Sequence, residues 1–275
     1  MNAEKTEYSL PVIPPKPAVP QGNRRRLAVA ADSFTGLVRR RNEDSFLYCW
    51  DPSVRYLLVA VADGIGSTRN GDVASCFALQ LLLQFWKELV FPNQNLQNFV
   101  REFLQRSFCE INRRFYEINL VTSDLSERDS LGTTLTAAIF LQDVVIAANA
   151  GDSPIFRVRG GEIRQLSFDH NLANEMVRNS QITAEEAAAL PSGRMLTRYI
   201  GPREQVEPEC YTFNVRSGDR FLLCSDGLTL HIPHDEIASV LDQKEDAAEA
   251  IKILFRLTFR RGAMDNITGI LVQAL

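Results

Sequence analysis

Histidine is scarce in this chain: three in 275 residues, at His170, His231 and His234. That argues against a histidine-built zinc site. It also leaves the five cysteines, Cys49, Cys76, Cys109, Cys210 and Cys224, without an evident base to make one a nucleophile. The cysteines are odd in number, widely spaced and include no Cys-x-x-Cys pair, which points to reduced thiols in a cytoplasmic protein. Cys224 and Cys76 lie in apolar sequence and are expected as small core residues. No apolar run approaches the ~20 residues needed to cross a bilayer, so no membrane span is expected. The first residues lack a signal-peptide apolar region, so secretion is not expected either. Basic charge is not in excess: 30 Lys and Arg face 34 Asp and Glu, for a net charge of −4. No global basic field therefore recruits nucleic acid. No low-complexity linker interrupts residues 27–275, and 45% of the chain is hydrophobic, so one large domain is expected.

Residues 1–26 differ in composition. They carry Pro11, Pro14, Pro15, Pro17 and Pro20, then Arg24-Arg25-Arg26. Such a segment buries too little surface to order itself and reads as an extended or disordered tail. A solvated leader is the plainer reading, and a docking tail for a partner is the functional one.

The rest reads as strands and helix pairs. Leu27 to Asp32 reads as a strand, and Ser45–Trp50 with Tyr56–Ala62 as a hairpin through Asp51-Pro52-Ser53. Asp72–Val90 reads as a helix. A second helix carries Leu96, Phe99, Val100, Phe103, Leu104, Phe108, Ile111, Phe115 and Ile118 on one face, a stripe expected to pack on a sheet. Short β-rich runs follow at Thr133–Phe140, Val144–Ala150, Ile155–Arg159 and Glu162–Leu166. Residues 170–195 are polar, with two short helical pieces, and read as an insertion at a sheet edge. Strands at Cys210–Val215 and Arg220–Cys224, helices near 234–241 and 245–259, and a strand at Ile267–Val272 complete the pattern. It is an α+β pattern of two packed antiparallel sheets with helices outside.

Two apolar runs end alike. Leu57–Ala62 runs into Asp63-Gly64, and Phe221–Ser225 runs into Asp226-Gly227. Asp-Gly after a strand is commonly a hairpin turn. Two further acidic points accompany these, Asn42-Glu43-Asp44 and Asp265-Asn266, each at the start of a strand. Carboxylates gathered from four distant strand ends repel one another unless a cation sits among them. The pattern predicts a carboxylate-built metal site.

The order of motifs over residues 27–275 resembles the metal-dependent Ser/Thr protein phosphatases of type 2C, bacterial members in particular. The resemblance rests on Gly36-Leu37-Val38-Arg39 with Asn42-Glu43-Asp44; Asp63-Gly64-Ile65-Gly66 with Gly71-Asp72; and Gly132-Thr133-Thr134. It continues in Gly151-Asp152-Ser153, Leu196-Thr197-Arg198-Tyr199-Ile200-Gly201, Ser225-Asp226-Gly227-Leu228 and Asp265-Asn266-Ile267-Thr268. It implies a four-layer α/β/β/α sandwich of two antiparallel sheets flanked by helix pairs. It implies that Asp63 bridges two Mn²⁺ or Mg²⁺ ions, that Asp226 and Asp265 complete one ion's ligands, and that the Gly64 carbonyl binds the other. Glu43 would hold that ion's waters, with Asp44 beside them. Arg39 matches the family's phosphate-binding arginine, Asp152 a ligand of a weaker third ion, and residues 168–200 a flap.

The implied activity is hydrolysis of phosphoserine and phosphothreonine in proteins by a water activated between the ions. The partner would be a phosphoprotein substrate, paired with a Ser/Thr kinase. Oxygen ligands suit hard Mg²⁺ and Mn²⁺, and the planar fork of Arg39 suits phosphate. Arg40 and Arg41 read as its solvated neighbours. Ile65 stands where many eukaryotic members carry a histidine, and Pro154 where an arginine is frequent. Ser67 replaces a frequent glycine. The alternative is a catalytically silent regulatory module on the same fold, and retention of Asp63, Asp226 and Asp265 favours the enzyme. A small-molecule phosphate hydrolase is a third reading.

Overall fold

The structure, a computed structural model, describes residues 27–51, 53, 55–65, 70–122 and 130–275. The Pro- and Arg-rich segment 1–26, Pro52 of the expected turn, and Gly66 and Ser67 of the loop after Asp63 lie outside the described residues.

Strands β1 (Leu27–Phe34), β2 (Asp44–Trp50) and β3 (Leu57–Asp63) come first, then helices α1 (Gly71–Lys87) and α2 (Leu96–Thr122). Strands β4 (Leu135–Phe140), β5 (Val144–Ala150), β6 (Ile155–Arg159) and β7 (Glu162–Gln165) follow. Short helices α3 (Leu172–Arg178) and α4 (Ala184–Ala188) precede β8 (Glu209–Asn214) and β9 (Arg220–Cys224). Helices α5 (Asp226–Thr229), α6 (His234–Gln243) and α7 (Ala247–Arg260) lead to β10 (Ile267–Ala274). One sheet has the order β1-β10-β9-β6-β7 and the other β2-β3-β4-β5-β8. Neighbouring strands are antiparallel throughout. The α+β expectation of two antiparallel sheets with outer helices is met.

Three apolar layers hold the sandwich, and strand periodicity sorts residues between them. On β3, Leu57, Val59 and Val61 face the other sheet, while Leu58, Ala60 and Ala62 face α1 and α2. On β10, Ile270 and Val272 point between the sheets, while Ile267 and Leu271 pack with residues of α6 and α7. Strands buried on both faces are apolar at every position, which is why Leu57–Ala62 and Phe221–Cys224 show no alternation.

The stripe of α2 packs as expected, with Val100, Leu104, Phe108, Ile111 and Phe115 fully buried. Ile118 departs from it and is 37% exposed. Cys224 is buried, but Cys76 is only partly so, on the flank of α1. Strand β4 begins at Leu135, since Thr133 leaves the ladder to bridge Gly64 and Ile200.

Candidate metal centre

Register brings the first two carboxylates together. Asp44, first in β2, pairs directly with Asp63, last in β3. Directly opposite side chains share a face about 5 Å apart at Cβ. Asp226 arrives from the other sheet as the first residue of α5, immediately after β9. Asp265 sits in the loop before β10, and Asp152 just beyond β5.

Hydroxyls and amides fix these strand ends. Ser225 Oγ donates to Asp44 Oδ2 at 2.7 Å and accepts from the Thr268 N–H at 3.0 Å, so one side chain ties the two sheets. Thr134 N and Thr133 Oγ1 donate to the Asp63 carbonyl at 2.8 and 2.9 Å, and Asp63 N donates to Thr134 Oγ1 at 2.9 Å. Asn266 accepts from Glu43 N and donates through Nδ2 to the carbonyls of Thr35 and Arg41, all at 2.9 Å.

The Asp-Gly pairs are not hairpin turns. Neither Gly64 nor Gly227 has a positive φ. A Cβ on Gly64 would stand 2.1 Å from the Gly71 carbonyl oxygen, and one on Gly227 1.9 Å from that of Asn266. Glycine is required because another backbone passes there. Asp63 is thereby set against the start of α1, and Asp226 against Asp265-Asn266.

The other expected residues are placed as follows. Gly64 N donates to the Glu43 carbonyl at 3.0 Å, and the Glu43 carboxyl lies against Gly71. Arg39 Nη2 donates to Asp265 Oδ2 at 2.7 Å, so its guanidinium is held at the rim by one of the carboxylates. Arg41 is 3.8 Å from Asp72, and Arg40 and Arg41 are both exposed.

The cluster is electrostatically strained. Burial, then Asp226 and Asp169, push Asp152 up to about 8. Burial pushes Asp44 up to about 7 against the pull of the Ser225 hydroxyl, and burial with Asp265 pushes Asp226 up to about 6. Asp63 rises well above the carboxylate range, through burial and then Asp44, Asp226, Asp152 and Asp265. Asp44 Oδ1 is buried with no hydrogen-bond partner. An oxygen-only donor set, mutual repulsion and an orphaned carboxylate oxygen fit hard divalent cations. Among the described residues no three acidic, histidine or cysteine side chains converge tightly enough to cage an ion unaided.

Sequence reasoning missed Asp169. Burial pushes it up to about 6, and Asp226 acts in the same direction, so it joins the cluster. It follows β7 by four residues, as Asp152 follows β5 by two. His170 beside it is fully buried. Its Nδ1 accepts from the Gly151 N–H at 3.1 Å, and its backbone N–H donates to the Gly151 carbonyl at 3.0 Å. The segment carrying α3 is thus tied to the Asp152 loop.

The family model of protein phosphatase 2C matches residues 38–271. The serine/threonine phosphatase stp of Listeria monocytogenes is 34% identical over 238 residues, covering 86% of this chain and 92% of that protein. Protein phosphatase PhpP of Streptococcus pneumoniae is also 34% identical over 238 residues, covering 86% and 94%. Among solved structures, the Streptococcus agalactiae serine/threonine phosphatase superposes with a TM-score of 0.83 at 32% identity, covering 91% of this chain and 100% of that one. The catalytic domain of the phosphatase PstP, solved with two manganese ions, superposes at 0.72 with 30% identity, covering 90% and 98%. With a family match over residues 38–271 and relatives 34% identical over 86% of its length, the chain belongs to the protein phosphatase 2C family.

Proposed function

We propose that this chain removes phosphate from phosphoserine and phosphothreonine in proteins, and that Asp63, Asp226, Asp265 and the Gly64 carbonyl hold two Mn²⁺ or Mg²⁺ ions. The observation that carries the reading is the set of buried carboxyls, drawn from both sheets, whose burial and mutual repulsion outweigh the pull of Arg39 and Arg194 at the rim. Bound there, divalent ions offset the repulsion between the acidic centre and a phosphate dianion and lower the pKa of coordinated water. Asp152, with Asp169 beside it, would hold a weaker third ion.

The side chains have separate tasks. Ser225 and Thr134 fix the carboxylates by hydrogen bonds to Asp44 and the Asp63 backbone, so little reorganisation remains when substrate arrives. Glu43, against Gly71, is placed to accept protons from water at the rim. Arg39 gives up Asp265 and offers its two-pronged donor face to phosphate oxygens. Residues 168–200, linked to Gly151 through His170, border the phosphate-binding end as a flap. A protein Ser/Thr kinase supplies such a substrate. Five unpaired cysteines suit a reducing cytoplasm.

Chelator-treated protein should have no turnover on an aryl phosphate or a phosphothreonine peptide until Mn²⁺ or Mg²⁺ is added. Asp265→Asn should lower the restored rate by at least ~100-fold, since it removes a charged ligand from a two-ion clamp. Full activity in chelator would contradict the reading.

A further inference from the structure

We propose that the free edge of the sandwich at β7, centred on Arg157 and Arg164, binds an acidic extended segment of a partner protein. Arg157 on β6 and Arg164 on β7 are directly paired, so both side chains leave the same face of the sheet. Arg159, two residues on, shares that face. Arg216, in the turn before β9, is near enough to act on Arg157.

Four cations thus gather where the acidic side chains are few. Asp219 is buried and already committed: Arg159 Nε and Nη2 each donate to it at 2.6 Å, and Arg216 N at 2.7 Å. Glu162, paired across the strands with Arg159, is exposed. Arg157 is left over. Its Nε is buried with no hydrogen-bond partner, and among the described residues neither Arg157 nor Arg164 forms an ion pair. Burial and the neighbouring arginines together hold the Arg157 guanidinium below its ordinary range. Directly opposed like charges and a buried unpaired N–H both cost free energy that a bound anion would return.

The geometry selects a strand-like anion. β7 ends its sheet, and among the described residues nothing pairs with its outer edge. A segment added there as a strand sends alternate side chains out on the Arg164 face. Carboxylates at those positions meet Arg164 directly and Arg157 one strand further in. The site uses none of the candidate ion ligands.

The test is fluorescence anisotropy of a labelled octapeptide of alternating glutamate and valine, titrated with chelator-treated full-length protein. Without ions the carboxylate centre repels this peptide, so binding reports the arginine edge. The expected result is saturable binding, weakened at least ~10-fold by Arg157→Gln with Arg164→Gln and strongly by added salt. Arg164→Gln alone, at an exposed position, should weaken it in part, and Arg106→Gln on α2 should leave it unchanged. The double variant should melt no lower than the parent, because the opposed pair is gone. An alternating glutamate–proline peptide, which lacks half the strand N–H donors, should bind less well. No binding by the parent, equal binding by the double variant, or tighter binding of a DNA oligonucleotide at the same arginines would overturn the proposal.

Discussion

Strand β9 has an aspartate beyond or before each end, and the two live differently. Asp219, just before it, is fully buried and gripped by both nitrogens of the Arg159 fork. Burial pushes its carboxyl up, but Arg159 and the Arg216 N–H outweigh that and hold it below the usual range. Asp226, just after the strand, has no such partner. Burial and Asp265 push it up to about 6, with Arg194 and Arg39 opposing. The fold satisfies the carboxylate that serves its own structure. It gives Asp226 no such ion pair, and a buried carboxylate pushed up by its neighbours is a guide to function.

The sharpest way to break the comparison is to neutralise each in turn. Asp226→Asn should lower ion-supported turnover on a phosphothreonine peptide by at least ~100-fold. Asp219→Asn should leave turnover per folded molecule unchanged. Similar losses from both would erase the distinction.

Stability should separate them in the opposite sense. Asp219→Asn strips a partner from Arg159 and should cost about 3 kcal/mol, or roughly 5–10 °C in melting temperature. Asp226→Asn in chelator should melt no lower than the parent, because a repelled carboxylate is removed. The pH dependence has opposite slopes. The Asp219 contribution is complete above its unfolded pKa of ~3.9 and is lost as pH falls through the lower folded-state value. Asp226 is raised on folding, so in chelated protein its own contribution is most favourable below ~4 and is lost as pH rises through about 6. Denaturant melts across that range, with and without Mn²⁺, check both signs, and Mn²⁺ should abolish the second slope.

Most of the sandwich was legible because its strands and helices carry strong local signals. Buried strands such as Leu57–Ala62 are uniformly apolar, and α2 has a clear helical stripe. The candidate carboxylates were legible as punctuation at strand ends. The supports beneath them were not. Ser225 and Asn266 are ordinary residues until the sheets pack and bring Asp44, Thr35 and Arg41 within reach. Gly64 and Gly227 read as turn residues because sequence cannot show a second backbone passing within about 2 Å of a missing Cβ. Asp169 and His170 were hidden because their partners, Asp226 and Gly151, are distant in sequence.

A smaller effect sharpens the rim of the site. Arg39→Ala should chiefly raise KM for a phosphopeptide, by about tenfold, since a phosphate clamp holds ground state and transition state alike. An unchanged KM would shift the role to Arg40 or Arg41.

The most direct measurement is calorimetric titration of chelator-treated protein with Mn²⁺, parent against Asp63→Asn. The account expects the parent to bind at least two ions and the variant to lose the bridge between them, with weakened binding at both sites. No Mn²⁺ binding by the parent, or equal binding by the variant, would contradict a metal centre built on these strand ends.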